Sequence, residues 1–179
     1  MSYPVTLLEH AQSLVEQDER GRPRQADLRR AVSAAYYAVF HEVCIQAGQL
    51  TLGKNQLASP IGIAARRSIE HATVRRACLI LNDTSQLSKL RTDHDNKTPT
   101  SWAKTTTTIL TLQEARTNAD YDLSQGSNLK QAAASQHIAD ARTVLNALRA
   151  TPTSDLEAQD RQIFLIACLV GKLYRPTPR

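Results

Sequence analysis

Two segments of this chain carry side chains whose types and spacing could do chemistry. The first is Arg29-Arg30-Ala31-Val32-Ser33-Ala34-Ala35-Tyr36-Tyr37-Ala38-Val39-Phe40-His41. On a helix, Arg30, Tyr37 and His41 are separated by seven and four residues and share one face, with Ser33 beside them. A cation, a phenol, an imidazole and a hydroxyl on a mostly apolar helix must find partners or water. They either cap the polar edge of a core or build a site. The second segment is Leu112-Gln113-Glu114-Ala115-Arg116-Thr117-Asn118-Ala119-Asp120-Tyr121-Asp122. Arg116 and Asp120 are four residues apart and can pair on a helix surface, a local salt bridge near a fraying end. The functional alternative is an arginine that holds a phosphate beside Tyr121, a phenol able to carry or donate a proton.

Other site chemistries are poorly served. Of the five histidines, His41 and His71 lie on different predicted helices, and His10, His94 and His137 sit in less distinctive contexts. A metal site from His41, His71 and Asp120 would contain no ligand pair at helical i, i+4 spacing, so no metal is expected. No phosphate-binding P-loop, dinucleotide glycine pattern, G-x-S-x-G elbow or C-x-x-C pair occurs, and no cofactor is expected. Cys44, Cys78 and Cys168 are odd in number, widely spaced and set among apolar neighbours, as reduced core residues would be.

The elements that must position these residues read as helices. Leu7, Leu8, Ala11, Leu14 and Val15 form an apolar stripe that predicts a helix from about Val5 to Asp18, broken at Gly21-Arg22-Pro23. A longer helix follows from about Gln25 to Ala47, apolar on nearly every side from Ala31 onward, as befits the middle of a bundle. Gly48 to Ser59 reads as a connection and Pro60 as a helix start, with a third helix to Leu81. Asn82 to Thr100 reads as a long polar loop, functional or mobile. The β-branched run Thr105 to Thr108 opens a fourth helix, because no other strand exists for it to pair with. A fifth spans Leu129 to Arg149. Ser154 is a candidate N-cap with Glu157 completing a capping box, and the last helix ends before Pro176 and Pro178.

Length and composition bound the answer. The 179 residues, 41% hydrophobic and 22% charged, suit one ordinary globular domain. The longest unbroken apolar run, Ile163 to Val170, is far short of the ~20 residues that span a bilayer. With no legible leader, the expected location is the cytoplasm, away from membranes. Only 4% of residues are aromatic, which favours an all-α core of Ala and aliphatic side chains. The net charge of +5 permits a nucleic-acid partner through Arg29-Arg30, Arg66-Arg67, Arg75-Arg76 and the C-terminal Lys172, Arg175 and Arg179. It equally permits an ordinary solvated surface.

The segment from Arg30 to His41, followed by Arg116-x-x-Ala119-Asp120-Tyr121-Asp122, resembles the HEPN superfamily, in particular its bacterial branch with an RxxYYAxF … RxxADY signature. Ser68-Ile69-Glu70-His71, the Ala-rich fifth helix and the segment from Arg161 to Leu165 also fit, so the similarity runs roughly from Leu7 to Leu173. The resemblance implies a single HEPN-like domain over 1–179, an antiparallel bundle of five or six helices pairing into a homodimer. Many members are metal-independent endoribonucleases paired as toxins with a nucleotidyltransferase antitoxin, and their motif is an arginine followed by a histidine. Carried over, Arg116 matches the arginine and Tyr121 takes the histidine's place. A phenol titrates near ~10 against ~6.5 for imidazole, so as a general base it starts ~3 units, or ~4 kcal/mol, behind. The resemblance therefore implies an RNA- or nucleotide-facing site with weak or absent RNase chemistry in a toxin–antitoxin or defence setting. Arg116, Tyr121, Asp120 and His41 would carry any reaction, and Arg30, Tyr37 and His71 would bind the substrate. The alternative is a non-catalytic helical module that docks a nucleotidyltransferase or another protein.

Overall fold

Alanine-rich, nearly glycine-free stretches with few breakers leave the backbone one cheap way to satisfy its own hydrogen bonds, the α-helix. The computed structural model describes residues 2–16, 21, 23–93, 98–122 and 129–170. Among these the protein is all-α: α1 (Tyr3–Val15), α2 (Gln25–Leu52), α3 (Pro60–Arg67), α4 (His71–Asn82), α5 (Thr84–Leu90), α6 (Ser101–Tyr121), α7 (Gln131–Arg149) and α8 (Asp155–Val170). A short 3₁₀ turn covers Lys54–Gln56. No helix of the described residues is long and apolar enough to cross a membrane.

Among the described residues eight helices stand where five or six are expected, and each difference has a local cause. The second helix continues through Gly48, where a Cβ would lie 3.0 Å from Leu57 Cδ2 and 3.2 Å from Arg66 Cγ. Gly48 is thus a packing glycine, and the helix stops at Gly53, whose φ of 78° suits the left-handed region. The expected third helix divides at Ser68-Ile69-Glu70. Ile69 is buried there, and the Glu70 N–H donates to Thr73 Oγ1 at 3.2 Å to start α4. The expected loop after Asn82 contains α5, because Asp83 accepts from the backbone N–H of Ser85 and Gln86 and caps a turn that buries Leu87. The threonine run is helical as expected. Thr106 and Thr107 each donate to the carbonyl four residues back, at 2.8 Å. At α8 the Glu157 N–H donates to Ser154 Oγ, while the Glu157 carboxylate accepts from the N–H and hydroxyl of Thr153, one residue earlier than a capping box requires. The first helix ends at Val15, where Glu16 is already extended, short of the expected Asp18; Asp18 itself, His94, and Lys172 to Arg179 lie outside the described residues.

The chain packs as two compact units, Met1–Glu42 with Thr108–Leu148 and Val43–Thr107 with Arg149–Arg179. In the first, the core is Leu8, Ala11 and Val15 of α1, the Ala31 to Val39 run of α2, Ile109 and Leu112 of α6, and Ile138, Leu145 and Leu148 of α7. Gln131 Nε2 donates to Val15 O at 2.6 Å and closes the end of α1. In the second unit α4 packs on α8 and α5, and Trp102 lies against Phe164 with ring centroids 5.6 Å apart.

A fully buried ion pair organises that second core. Arg91 Nε and Nη2 donate to Asp160 Oδ1 and Oδ2 at 2.9 and 2.7 Å, with both side chains 1% exposed. Thr100 Oγ1 donates to the same carboxylate at 2.6 Å. This two-pronged geometry offsets a large desolvation cost, and removing one partner strands a charge. Asp160→Ala is expected to cost about 3–5 kcal/mol in urea unfolding, while Arg91→Met combined with Asp160→Leu recovers most of that loss. The three cysteines lie buried in this unit, and burial pushes the Cys44 thiol up to about 12 and raises Cys78 and Cys168 further above the usual range. Thiols held this far above their usual range stay protonated and unreactive near neutral pH. All three are expected to resist a disulfide reagent in the native protein and to react at once in concentrated guanidinium.

Candidate functional site

The first unit places the two chemistry-bearing segments side by side. With the Ala31 to Val39 run of α2 packed inward, the polar line of that helix faces the last two turns of α6. Arg116 Nη2 donates to Tyr37 Oη at 2.6 Å, and its Nε lies 2.7 Å from Asp120 Oδ2. The other oxygen of Asp120 accepts from Ser33 Oγ, so one carboxylate holds Arg116 on its own helix and ties α6 to α2 through Ser33. The guanidinium carbon is 5.2 Å from the Tyr37 ring centroid and 5.3 Å from that of Tyr121, cation–π distances on both. Burial by itself would lower the Arg116 pKa. The Tyr37 hydrogen bond and the neighbouring Tyr37, Asp120 and Tyr121 oxygens outweigh it and hold the guanidinium above its usual range. Arg116 is a fixed cation, suited to holding an anion and unsuited to proton exchange.

These residues line a cleft of about 810 Å³. Arg30, Ser33, Tyr37 and His41 enter it from α2, and Arg116, Asp120 and Tyr121 from α6. Tyr121 is 66% exposed, so its phenol is open to a ligand. His41 sits among rings, with centroids 5.0 Å from Tyr3, 5.7 Å from Phe40 and 6.4 Å from Tyr37. Of the residues expected to share a site, six come together here. His71 does not: it opens α4 in the second unit and is no part of the cleft lining.

The cleft also takes a contribution from α1 that the motif reading missed. Tyr3, Leu7 and His10 line it, at i, i+4 and i+7. Leu7, expected in the apolar stripe of α1, lines the cleft with Tyr3 and His10 on the face beside the buried Leu8, Ala11 and Val15. The signal of that face was weak because a lone tyrosine and histidine near a chain start have no chemical partner in sequence. Among the described residues, no three His, Cys, Asp or Glu side chains are placed to hold a metal ion.

The paired arginines divide their labour. Arg30 is exposed at the cleft, whereas Arg29 turns to the end of α6. Arg29 Nε donates to Ala119 O at 2.8 Å and its Nη2 to Asn118 O at 3.2 Å and to Asp122 O. The Ala119 carbonyl is one a helix C-terminus leaves without a backbone partner, Asn118 O accepts from the Asp122 N–H as well, and a cation there also suits the helix dipole. Arg66 is similarly spent on the carbonyls of Leu57 and Gly62. A second cleft, of about 550 Å³, is lined by Arg29, Ala115, Ala119, Ala133 and His137, and burial lowers the His137 pKa against the opposing pull of Asp140.

Compared with protein-family models, curated proteins and solved structures, the chain matches none.

Because Arg29 secures the turn that carries Asp120 and Tyr121, Arg29→Met is expected to cost about 1–3 kcal/mol and to speed amide hydrogen exchange selectively at Ala119 to Asp122. Equal acceleration throughout α6 would contradict a local capping role.

Proposed function

We propose that this chain is a HEPN-like RNA- or nucleotide-binding protein that works as a homodimer in a toxin–antitoxin or defence setting, with a phosphate held on Arg116. The observation that carries this reading is the Arg116 guanidinium, oriented by Tyr37 and Asp120 beneath an exposed Tyr121 in one polar cleft. Its hydrogen bond to Tyr37 uses one of the five N–H groups that a guanidinium offers, its Nε lies in an ion pair with Asp120, and a phosphate takes others. Arg30 adds a second cation in the same cleft, and Tyr121 supplies a ring face and a hydroxyl beside the bound anion.

Any cleavage would be metal-independent endoribonuclease chemistry. Arg116 steadies the scissile phosphate, Asp120 orients Arg116, and Tyr121 or His41 handles the proton. A phenol at position 121 makes that chemistry slow, because a phenol exchanges protons less readily at neutral pH than the imidazole whose place it takes. Binding is therefore the principal activity in this reading.

A short fluorescein-labelled RNA, titrated by anisotropy, tests it. Arg116→Ala is expected to weaken binding at least about tenfold, or ~1.4 kcal/mol, and Arg116→Lys to restore only part, since an ammonium keeps the charge without the planar fork. His71→Ala leaves affinity unchanged. Tyr121→His is expected to raise cleavage of the same RNA in EDTA at least about tenfold over the natural chain, because imidazole exchanges protons at neutral pH. Unchanged affinity in Arg116→Ala overturns the reading.

A further inference from the structure

Aromatic side chains are scarce in this chain, and exposure divides the few it has. Tyr36, Trp102 and Phe164 are buried, at 3% exposure or less. Among the described residues the exposed rings of tyrosine, phenylalanine and tryptophan are Tyr3, at 59%, and Tyr121, at 66%, and both line the Arg116 cleft. A ring left in water forgoes the burial that makes an aromatic side chain valuable to a core, so two of them at one cleft call for an occupant. They end a chain of ring contacts that runs from α1 across α2 to α6. Tyr3 meets His41 with centroids 5.0 Å apart and His41 meets Tyr37 at 6.4 Å. The Arg116 guanidinium carbon then lies 5.2 Å from the Tyr37 centroid and 5.3 Å from that of Tyr121.

From these contacts we infer that Tyr3 and Tyr121 are stacking platforms for two bases of one unpaired RNA strand, whose backbone phosphate is the one held on Arg116. The inference rests on the phosphate-binding reading of Arg116 and adds what flanks the phosphate. A nucleobase is flat, with apolar faces and a hydrogen-bonding edge, and every base offers a face to an aromatic ring. In a duplex both faces of a base are covered by its neighbours, so an open ring reaches a base face only where the strand is unpaired. A free mononucleotide has one base and satisfies one platform. The α1 wall suits a base in a further way. Leu7 and His10 follow Tyr3 at i+4 and i+7 on the same face, an aliphatic side chain and then an imidazole able to hydrogen-bond a base edge. Charge agrees with a backbone passing through the cleft. Arg30 and Arg116 are the cations of its lining, and Asp120, the acid of that lining, is engaged by Arg116 and Ser33.

A short fluorescein-labelled RNA without self-complementarity is titrated with the full chain by anisotropy, both alone and annealed to its complement. The single strand is expected to bind at least about tenfold more tightly than the duplex. Tyr3→Ala and Tyr3→Leu are each expected to weaken single-strand binding about five- to hundredfold, with the helical circular dichroism signal unaltered. Tyr3→Phe keeps the natural affinity, because a stacking platform needs the ring and not the hydroxyl. Tyr3→Trp gives a direct readout: its added indole fluorescence is quenched by the single strand and unchanged by inorganic pyrophosphate, which offers Arg116 an anion without a base. Full affinity in Tyr3→Ala, where Arg116→Ala has lost at least about tenfold, overturns the stacking inference and leaves the phosphate reading standing. Full affinity in both variants overturns the phosphate reading and the inference with it. Equal binding of strand and duplex, or quenching of Tyr3→Trp by pyrophosphate, also overturns the inference.

Discussion

Everything at the cleft depends on how much of α2 must be hidden from water. Eight residues between Ala31 and Val39, including Ala31, Val32, Ala35, Tyr36 and Val39, are 7% exposed or less. Burying that much apolar surface fixes the rotation of the helix about its axis, because any turn would expose part of the run. Arg30, Tyr37 and His41 are what remains, with the buried Ser33 hydroxyl beside them. Their position is a consequence of packing, and their chemistry follows from being held there. Tyr36 and Tyr37 show the result in adjacent residues: the first is 1% exposed in the core, and the second reaches Arg116 in the cleft.

The same constraint reaches α6 through hydrogen bonds. Arg29 satisfies carbonyls at its C-terminal end, Ser33 holds one oxygen of Asp120, and Asp120 holds Arg116. Polar side chains near an apolar helix have to be paired, and here the pairing also orients the one strongly held cation of the site. An Arg–Asp pair at i, i+4 in open solvent contributes little. Between two helices, with Arg116 16% exposed, it acts as a clamp.

The sequence conveyed helical character well and helix boundaries less well. The Thr105 to Thr108 run and Pro60 were read in agreement with the fold, since local hydrogen bonding and φ restriction decide both. Gly48 misled because a glycine that permits close packing and a glycine that ends a helix look alike in sequence. Asp83 was hidden in a polar stretch whose composition resembles a loop, although a capping side chain needs that composition. The buried Arg91–Asp160 pair gave no signal at all: its partners are 69 residues apart, and nothing local marks a charge that will be buried.

For the site, periodicity alone put Arg30, Ser33, Tyr37 and His41 on one face and Arg116 beside Asp120, because spacing on a helix is local geometry. Four things only tertiary structure decided. It brought α2 and α6 together so that Tyr37 meets Arg116, it added Tyr3 and His10 from α1, and it left His71 on another unit. It also separated Arg29 from Arg30, one spent on helix-end carbonyls and the other exposed in the cleft. Sequence determines which side chains share a helix face. Which faces then meet is set by the burial of apolar surface between residues far apart in the chain, and no local pattern encodes that sum.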